Sequence, residues 1–339
     1  MSELVERLMK NMAEATVLRV GERGLENAEK NKPYFGKSID DLPDITGSDS
    51  ESAAIVVVAG PSLYRTKSVD SILASGFKGE IVASESALGY CLDKGLIPKY
   101  IVCLDPHAKR IVRWFGDPEL VDVPEDDYYR RQDFDKKHWK DELGYNRKLV
   151  ELINRHAKSI KALLSTSVDI SVTKRCVQAG FDIYWWNPLY DDHSKPNSIS
   201  RKLFESNKIP CMVTGGNVGT ACWIITHAVL RRKNVALVGM DLGYAPGTPM
   251  INTQYYHELV ELLGDRASEA LVHTYNPYLD ETWFADPAFH WYKQVFLDLA
   301  KDADCTTYNC TEGGTLFEEP VKFTPLADFL SRFAKKEGT

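Results

Sequence analysis

The chain has 339 residues, 44% of them apolar and 26% charged, with a formal net charge of −7 at pH 7. That length and apolar content suit one large α/β domain with an appendage, or two domains. The acidic balance excludes a general grip on nucleic-acid backbone, which needs clustered Lys and Arg, and leaves a mononucleotide ligand open.

The seven cysteines, Cys91, Cys103, Cys176, Cys211, Cys222, Cys305 and Cys310, form no Cys-x-x-Cys pair. Buried free thiols in a reducing compartment are expected. No secretory h-region opens the chain and no stretch is apolar enough to span a bilayer, so a cytoplasmic protein with no membrane span is expected.

In chain order, residues 3–30 read as an amphipathic helix, with Leu4, Leu8, Met12, Val17, Val20 and Leu25 near helical spacing among charges. Pro33, Gly36, Pro43, Gly47 and the run Ser48–Ser52 then read as a linker, giving an appendage over residues 1–52. The appendage suits either packing on its own domain or an arm for a homo-oligomer. Residues 53–335 alternate strand and helix. Strands are expected at Ala54–Ala59, Glu80–Ala83, Tyr100–Leu104, Ile160–Leu164, Asp182–Trp186, Ile209–Val213, Val235–Gly239 and Thr306–Asn309. Helices are expected at Ser68–Ala74, Ala87–Lys94, Arg147–His156, Val168–Ala179, Ser198–Glu205, Thr220–Leu230, Pro287–Asp302 and Leu326–Phe333. Runs apolar on both faces suit a buried parallel sheet, so the pattern predicts a doubly wound Rossmann-like α/β fold. Residues 117–146, rich in Asp, Pro and Tyr, read as an insertion or lid, and residues 243–284 as irregular and aromatic.

Open parallel sheets bind ligands outside the carboxyl ends of their strands. Those ends carry Gly60-Pro61-Ser62, Ser84-Glu85-Ser86, Asp105-Pro106-His107, Thr214-Gly215-Gly216-Asn217-Val218-Gly219-Thr220, Asp241 with Tyr244, and Asn309 with Thr311, Glu312, Gly313 and Gly314. The glycine-rich turn lets backbone N–H groups approach a phosphate at a helix start, or serves as a tight turn against a packed helix. It matches neither the dinucleotide fingerprint nor the P-loop. Asp105 is open to three roles: metal ligand, base, or helix cap. Asp241 carries the same ambiguity, and His107 has the unperturbed pKa of a general acid or base. His193, His257, His273 and His290 lie in polar or aromatic segments, and His257-Glu258 makes no HExxH pair. Trp185, Trp186, Trp283, Trp291 and Tyr292 are expected mostly in the core, with one or two available to stack on a base or sugar.

Five elements occur in one order: Ala59-Gly60-Pro61-Ser62-Leu63; Gly95-Leu96-Ile97-Pro98 with Leu104-Asp105-Pro106; Gly215-Gly216-Asn217-Val218; Val238-Gly239-Met240-Asp241-Leu242-Gly243-Tyr244; and Asn309-Cys310-Thr311-Glu312-Gly313-Gly314. Over residues 53–318 the set resembles the DUF115 (MptE-like) domain. That domain is shared by motility-associated-factor (Maf) glycosyltransferases and archaeal 6-hydroxymethylpterin diphosphokinases. The resemblance implies a Rossmann-like fold akin to that of bacterial CMP-sialic-acid transferases. The diphosphokinase branch carries a second Asp near Asp105, whereas this chain has Leu104-Asp105-Pro106-His107, as in the glycosyltransferase branch.

The resemblance therefore implies a transferase using a nucleotide-linked sugar, with a CMP-linked nonulosonic acid favoured, and a glycan, lipid or protein acceptor. A diphosphokinase using ATP and Mg²⁺ is the alternative, and a non-catalytic nucleotide-binding homologue the third reading. In the leading reading Gly216, Asn217 and Gly219 serve the donor phosphate, Ser62 and Asn309 the ribose or base, and Asp105, His107 or Glu312 deprotonates the acceptor. Gly60, Pro61, Ser84, Glu85, Ser86, Thr214, Gly215, Asp241, Tyr244 and Thr311 complete the expected donor site. No covalently bound cofactor is expected, and Mg²⁺ only if Asp105 and Asp241 share it.

Overall fold

The computed structural model describes residues 3–42, 52–107, 111–123 and 141–334; in the N-terminal helix the side chains of residues 3, 7 and 10–19 lie outside that set. The N-terminal helix, α1, spans Glu3–Asn31. The first strand, β1 (Ala53–Val57), leads through two short helices, α2 (Pro61–Arg65) and α3 (Ser68–Ser75), to β2 (Glu80–Ser84). Strand and helix then alternate: α4 (Glu85–Lys94), β3 (Tyr100–Cys103), α5 (Glu142–His156), β4 (Lys161–Ser165), α6 (Ile170–Ala179), β5 (Asp182–Pro188), α7 (Ile199–Asn207) and β6 (Cys211–Met212). After β6 come α8 (Val218–Ile224), continued by a π turn at Ile225–Val229, and β7 (Asn234–Val238). The last part holds α9 (Tyr256–Leu263), the pair β8 (Val272–Asn276) and β9 (Glu281–Ala285), α10 (Pro287–Lys301), β10 (Thr306–Asn309), β11 (Lys322–Phe323) and α11 (Leu326–Phe333).

The main sheet has nine strands in the order β11-β10-β7-β1-β2-β3-β4-β5-β6. Every pairing in it is parallel. The sheet grows from β1 outward to β6, then restarts with β7 on the other side of β1. The order therefore reverses between β1 and β7, which is the topological switch point of a doubly wound fold.

The strands feed both faces, as their unbroken apolar runs require. Val56 packs with Trp223 of α8 and Phe296 of α10 on one face. Its neighbours Ile55 and Val57 pack with Leu63, Ile72 of α3 and Phe329 of α11 on the other. Outer strands β3 and β4 send Ile101, Ala162 and Leu164 into a further cluster with Leu149 of α5 and Val172 of α6. Local signals set the helix limits. Asp169, Ser198, Asn217 and Asp286 each cap a helix start by accepting a backbone N–H, and Gly95 and Gly180 end α4 and α6 in the left-handed region.

Several sequence expectations shift. The Ile209–Val213 run pairs over only Cys211 and Met212, because the preceding Pro210 has no N–H for the ladder. Residues 243–284 hold a helix, α9, and an antiparallel pair, β8–β9, rather than irregular chain throughout. Of the expected insertion at 117–146, residues 124–140 lie outside the described set. Its two flanks are tied together by paired Asp117–Asn146 hydrogen bonds of 2.8 and 2.7 Å. In α1, Met12 and Val17 also lie outside the described side chains. Leu8 packs against the cluster of Leu259, Ala267 and Ala270. No described helix is long and apolar enough to cross a membrane.

Candidate functional site

The parallel register aligns the strand ends in one row. Val57 stands opposite both Ala83 and Val238, Ser84 opposite Val102, and Asn309 opposite Leu237. The loops that follow β1, β2, β3, β7 and β10 therefore emerge along one edge. β6 lies at the far margin of the sheet, yet its glycine-rich turn reaches the middle of that edge. The crossover from β6 to β7 runs back beneath the sheet, and a Cβ on Gly219 would lie 3.3 Å from the Val58 side chain just past β1.

At the switch point the loops bind each other. Asp241, 2% exposed, accepts hydrogen bonds from the backbone N–H and the hydroxyl of Ser62. It thus caps the start of α2 from the neighbouring strand. Gly60 donates to the Gly239 carbonyl at 2.8 Å, and a Cβ on Gly60 would collide with the Asp241 carboxylate, so the position admits only glycine. From β10, Asn309 bonds the Leu316 carbonyl and the Thr311 N–H, and the Thr311 hydroxyl accepts from Met240 N at 3.1 Å. Thr315 donates its N–H to Asp241 O and its hydroxyl to Leu242 O, each at 2.9 Å. The side chains of Asp241, Asn309 and Thr311, expected to meet a donor, are thus occupied in holding these loops together.

Glu312 turns away from the edge. With a φ of 53° it lies near the start of α11, within the influence of Leu326 N–H and the Asp328 carboxylate. Burial first, and then Asp328, push its pKa up. The hydrogen bonds that join Asp105 and His107 do not include it. Tyr244, buried, donates to Asp286 Oδ2 and accepts from Gln254 N, both at 2.8 Å, and so braces the entry to α10. Asp286 caps α10 through Phe289 N, and full burial raises its pKa to about 6.

A second group of strand ends stays half-open. After β3, His107 donates both its backbone N–H, at 2.8 Å, and ring Nδ1–H, at 2.6 Å, to Asp105 Oδ1. The two side chains keep 31% and 39% exposure, respectively for Asp105 and His107. A carboxylate accepting at Nδ1 fixes the neutral ring as the Nδ1–H tautomer, with the Nε2 lone pair turned away from Asp105. Beside it at the end of β2, Ser84 shares a hydrogen bond of 3.0 Å with Ser86 in the first turn of α4. Glu85 is buried between them, close enough to raise the pKa values of the Cys103 and Cys222 thiols further above what burial alone does.

The glycine-rich turn lies against α10. Gly216 has a φ of 82°, and a Cβ there would sit 2.6 Å from Trp291 and 2.7 Å from Tyr292. Both readings of this glycine, close ligand approach and close helix packing, start from that geometry, and the packing contact is direct. Asn217 caps α8, accepting from Thr220 N at 2.9 Å and donating to Thr220 Oγ1 at 2.9 Å. Thr214 Oγ1 accepts from Gly216 N at 3.2 Å. Tyr292 packs against the turn: burial raises its phenol pKa to about 12, the Tyr255 hydroxyl 3.2 Å away opposes that rise, and the charges of Asp286 and then Asp105 add to it.

The sequence reading missed the part of α1. Its carboxyl half lies across the ends of β3, β4 and β5. Asn27 donates to Pro106 O and Ser167 O at 3.0 and 2.9 Å, and Asn31 to Thr166 O and Val168 O at 3.0 and 2.7 Å. The docking face runs Gly21, Gly24, Ala28 and Asn31, spaced three and four residues apart, beside Asn27. A stripe of small residues next to amides is a readable signal for close helix docking, distinct from the leucine pattern of the same helix.

Among the described residues no group of three or more His, Cys, Asp and Glu is arranged to hold a metal ion. No protein-family model matches the chain. A search of curated proteins also finds no match. One similar solved structure is a MAf glycosyltransferase from Magnetospirillum magneticum AMB-1, at a TM-score of 0.49 and 14% identity, over 80% of this chain and 33% of that one. The fold assignment rests on the strand order and parallel register of this chain itself.

Proposed function

We propose that the chain is a transferase that binds a nucleotide-linked sugar in the strand-end crevice and passes the sugar to an acceptor hydroxyl. The observation that carries this reading is the Asp105–His107 pair: a half-exposed imidazole, oriented by a carboxylate, at the end of β3 on the same sheet edge as the glycine-rich turn. A base must reach solvent or substrate and must hold a defined tautomer, and His107 meets both needs. In this reading His107 Nε2 takes the acceptor proton as the hydroxyl oxygen attacks the sugar carbon, and the nucleotide phosphate leaves with the electron pair of the broken C–O bond. Asp105 stabilises the imidazolium that forms. The N–H groups at the start of α8 suit the charge developing on the departing phosphate, and Trp291 and Tyr292 suit the flat face of a base or sugar.

The resemblance to the DUF115 (MptE-like) domain favours CMP as the nucleotide and a nonulosonic acid as the sugar. The test is a calorimetric titration with CMP, UDP, GDP, ADP and ATP, in EDTA and then in excess Mg²⁺, followed by a donor-hydrolysis assay with the sugar nucleotide of whichever base binds. The reading expects binding of a cytidine nucleotide in EDTA and slow donor hydrolysis without acceptor. ATP binding that appears only with Mg²⁺, and no response to CMP, would replace it with a diphosphokinase. Binding without turnover of any donor or pterin would leave a nucleotide-binding homologue.

A further inference from the structure

We infer that Asn27, on the N-terminal helix, is a positioning residue for the Asp105–His107 pair; the inference rests on the reading of His107 as a base. Asn27 is 3% exposed, and its amide donates to two carbonyls at once, Pro106 O at 3.0 Å and Ser167 O at 2.9 Å. An amide has two N–H donors, and this geometry uses both. Pro106 stands between Asp105 and His107. A proline has no N–H and a fixed φ, so its carbonyl is the one backbone group by which neighbours can hold it. The direction of that carbonyl sets the peptide that carries His107 N, and with it the 2.8 and 2.6 Å bonds from His107 to Asp105.

Two further observations separate this role from plain helix docking. Gly24, one turn before Asn27, would meet Tyr190 OH at 2.5 Å and Ser167 Oγ at 2.9 Å if it carried a Cβ, so α1 is brought unusually close at this point. Asn31 docks the same helix by a similar device but with other partners. It bonds Thr166 O, Val168 O and the Thr173 hydroxyl, all on the β4 side and none in residues 105–107. Two buried asparagines thus fasten α1, and one of them also holds the loop of the dyad. The helix that sequence marks as an appendage then serves as a wall of the reacting site.

The experiment compares Asn27→Ala with Asn31→Ala in the full chain, with Asn27→Ser, which keeps one donor, as the milder variant. Long-range proton–nitrogen spectra of the histidine rings report the tautomer of His107, assigned through His107→Gln. Wild-type and Asn31→Ala proteins are expected to show the Nδ1–H form, whereas Asn27→Ala mixes both tautomers and Asn27→Ser lies between. Both alanine variants are expected to lose thermal stability. Only Asn27→Ala is expected to lose kcat, by at least about tenfold with KM within about threefold, because a small misplacement of a reacting group lowers rate more than binding. An Asn27→Ala spectrum identical to wild type, or an equal change in Asn31→Ala, would overturn the inference. The ring spectra need no substrate, so they decide the positioning claim even if no transferase activity is found.

Discussion

The loops after β7 and β10 and the loop after β3 look alike in sequence and differ in the folded chain. Both present an Asp at a strand end. Asp241 is 2% exposed and accepts from two groups of Ser62, inside a set of loops whose polar side chains satisfy one another. The Asp105 side chain keeps 31% exposure and orients a histidine. The topological switch point lies between β1 and β7, so a rule based on topology alone places the chemistry there. The proposed site lies two strands further along, at β3, where the Asp105 and His107 side chains keep their exposure. A polar residue at a strand end is a candidate when part of its group stays exposed; a fully buried one is part of the frame.

Four tests sharpen or break that contrast. The largest effect is expected from His107→Ala, which should lower sugar transfer by about 10²–10⁴-fold, the usual contribution of a general base, while nucleotide affinity stays within a few-fold. Paired kinetics and calorimetry read this, and an unchanged rate would remove His107 from the reaction. Next, Asp241→Ala leaves the Ser62 N–H and hydroxyl buried without their acceptor. It should cost about 2–4 kcal/mol in urea unfolding, since each unsatisfied buried group costs about 1–3 kcal/mol. A loss below about 1 kcal/mol would mean that these loops do not depend on the clasp.

The third concerns pH. Burial raises the folded pKa of Asp286 from 3.8 to about 6, so the unfolded state releases its proton first as pH rises. Its contribution is fully present below about pH 4 and is lost as pH climbs through about 6. Burial lowers His227 from 6.5 to about 4, so its contribution is present above about pH 6.5 and is lost on acidification toward 4. The two groups oppose each other across the same window. Asp286→Asn should remove the decline on the rising side, and His227→Gln the decline on the falling side, each on the order of 2 kcal/mol. Melting curves from pH 4 to 7 test the signs, and variants whose slopes move together would contradict them. The smallest effect belongs to Asn217. Asn217→Ala should cost about 1 kcal/mol as a lost helix cap. Asn217→Asp keeps the cap and should instead weaken nucleotide binding, because it sets a carboxylate beside the proposed phosphate. Equal affinity in Asn217→Asp would move the phosphate elsewhere.

Much of the frame was legible. Ala54–Ala59, Tyr100–Leu104 and Val235–Gly239 read as strands because burial on both faces demands unbroken apolar runs, and the structure pairs them in parallel. What escaped depends on partners distant in sequence. β8 and β9 carry Val272-His-Thr-Tyr-Asn and Glu281-Thr-Trp-Phe-Ala, polar enough to pass for loop until they pair with each other. α1 was read by its leucines, but near the site it docks through Gly24, Asn27 and Asn31. Glu312 lies near the start of α11 with a φ of 53°, a local choice that residue type does not announce. Asp105 and Asp241 carried the same signal in sequence, and only their burial in the fold tells them apart.

The most direct test of the central claim is a hydrogen-exchange footprint of a bound cytidine nucleotide. The account predicts added protection at residues 104–107, 214–219 and 289–292, with residues 309–316 unchanged because their hydrogen bonds are already internal. Protection concentrated in 309–316, with none at 104–107, would place the site at the switch-point loops and contradict the account.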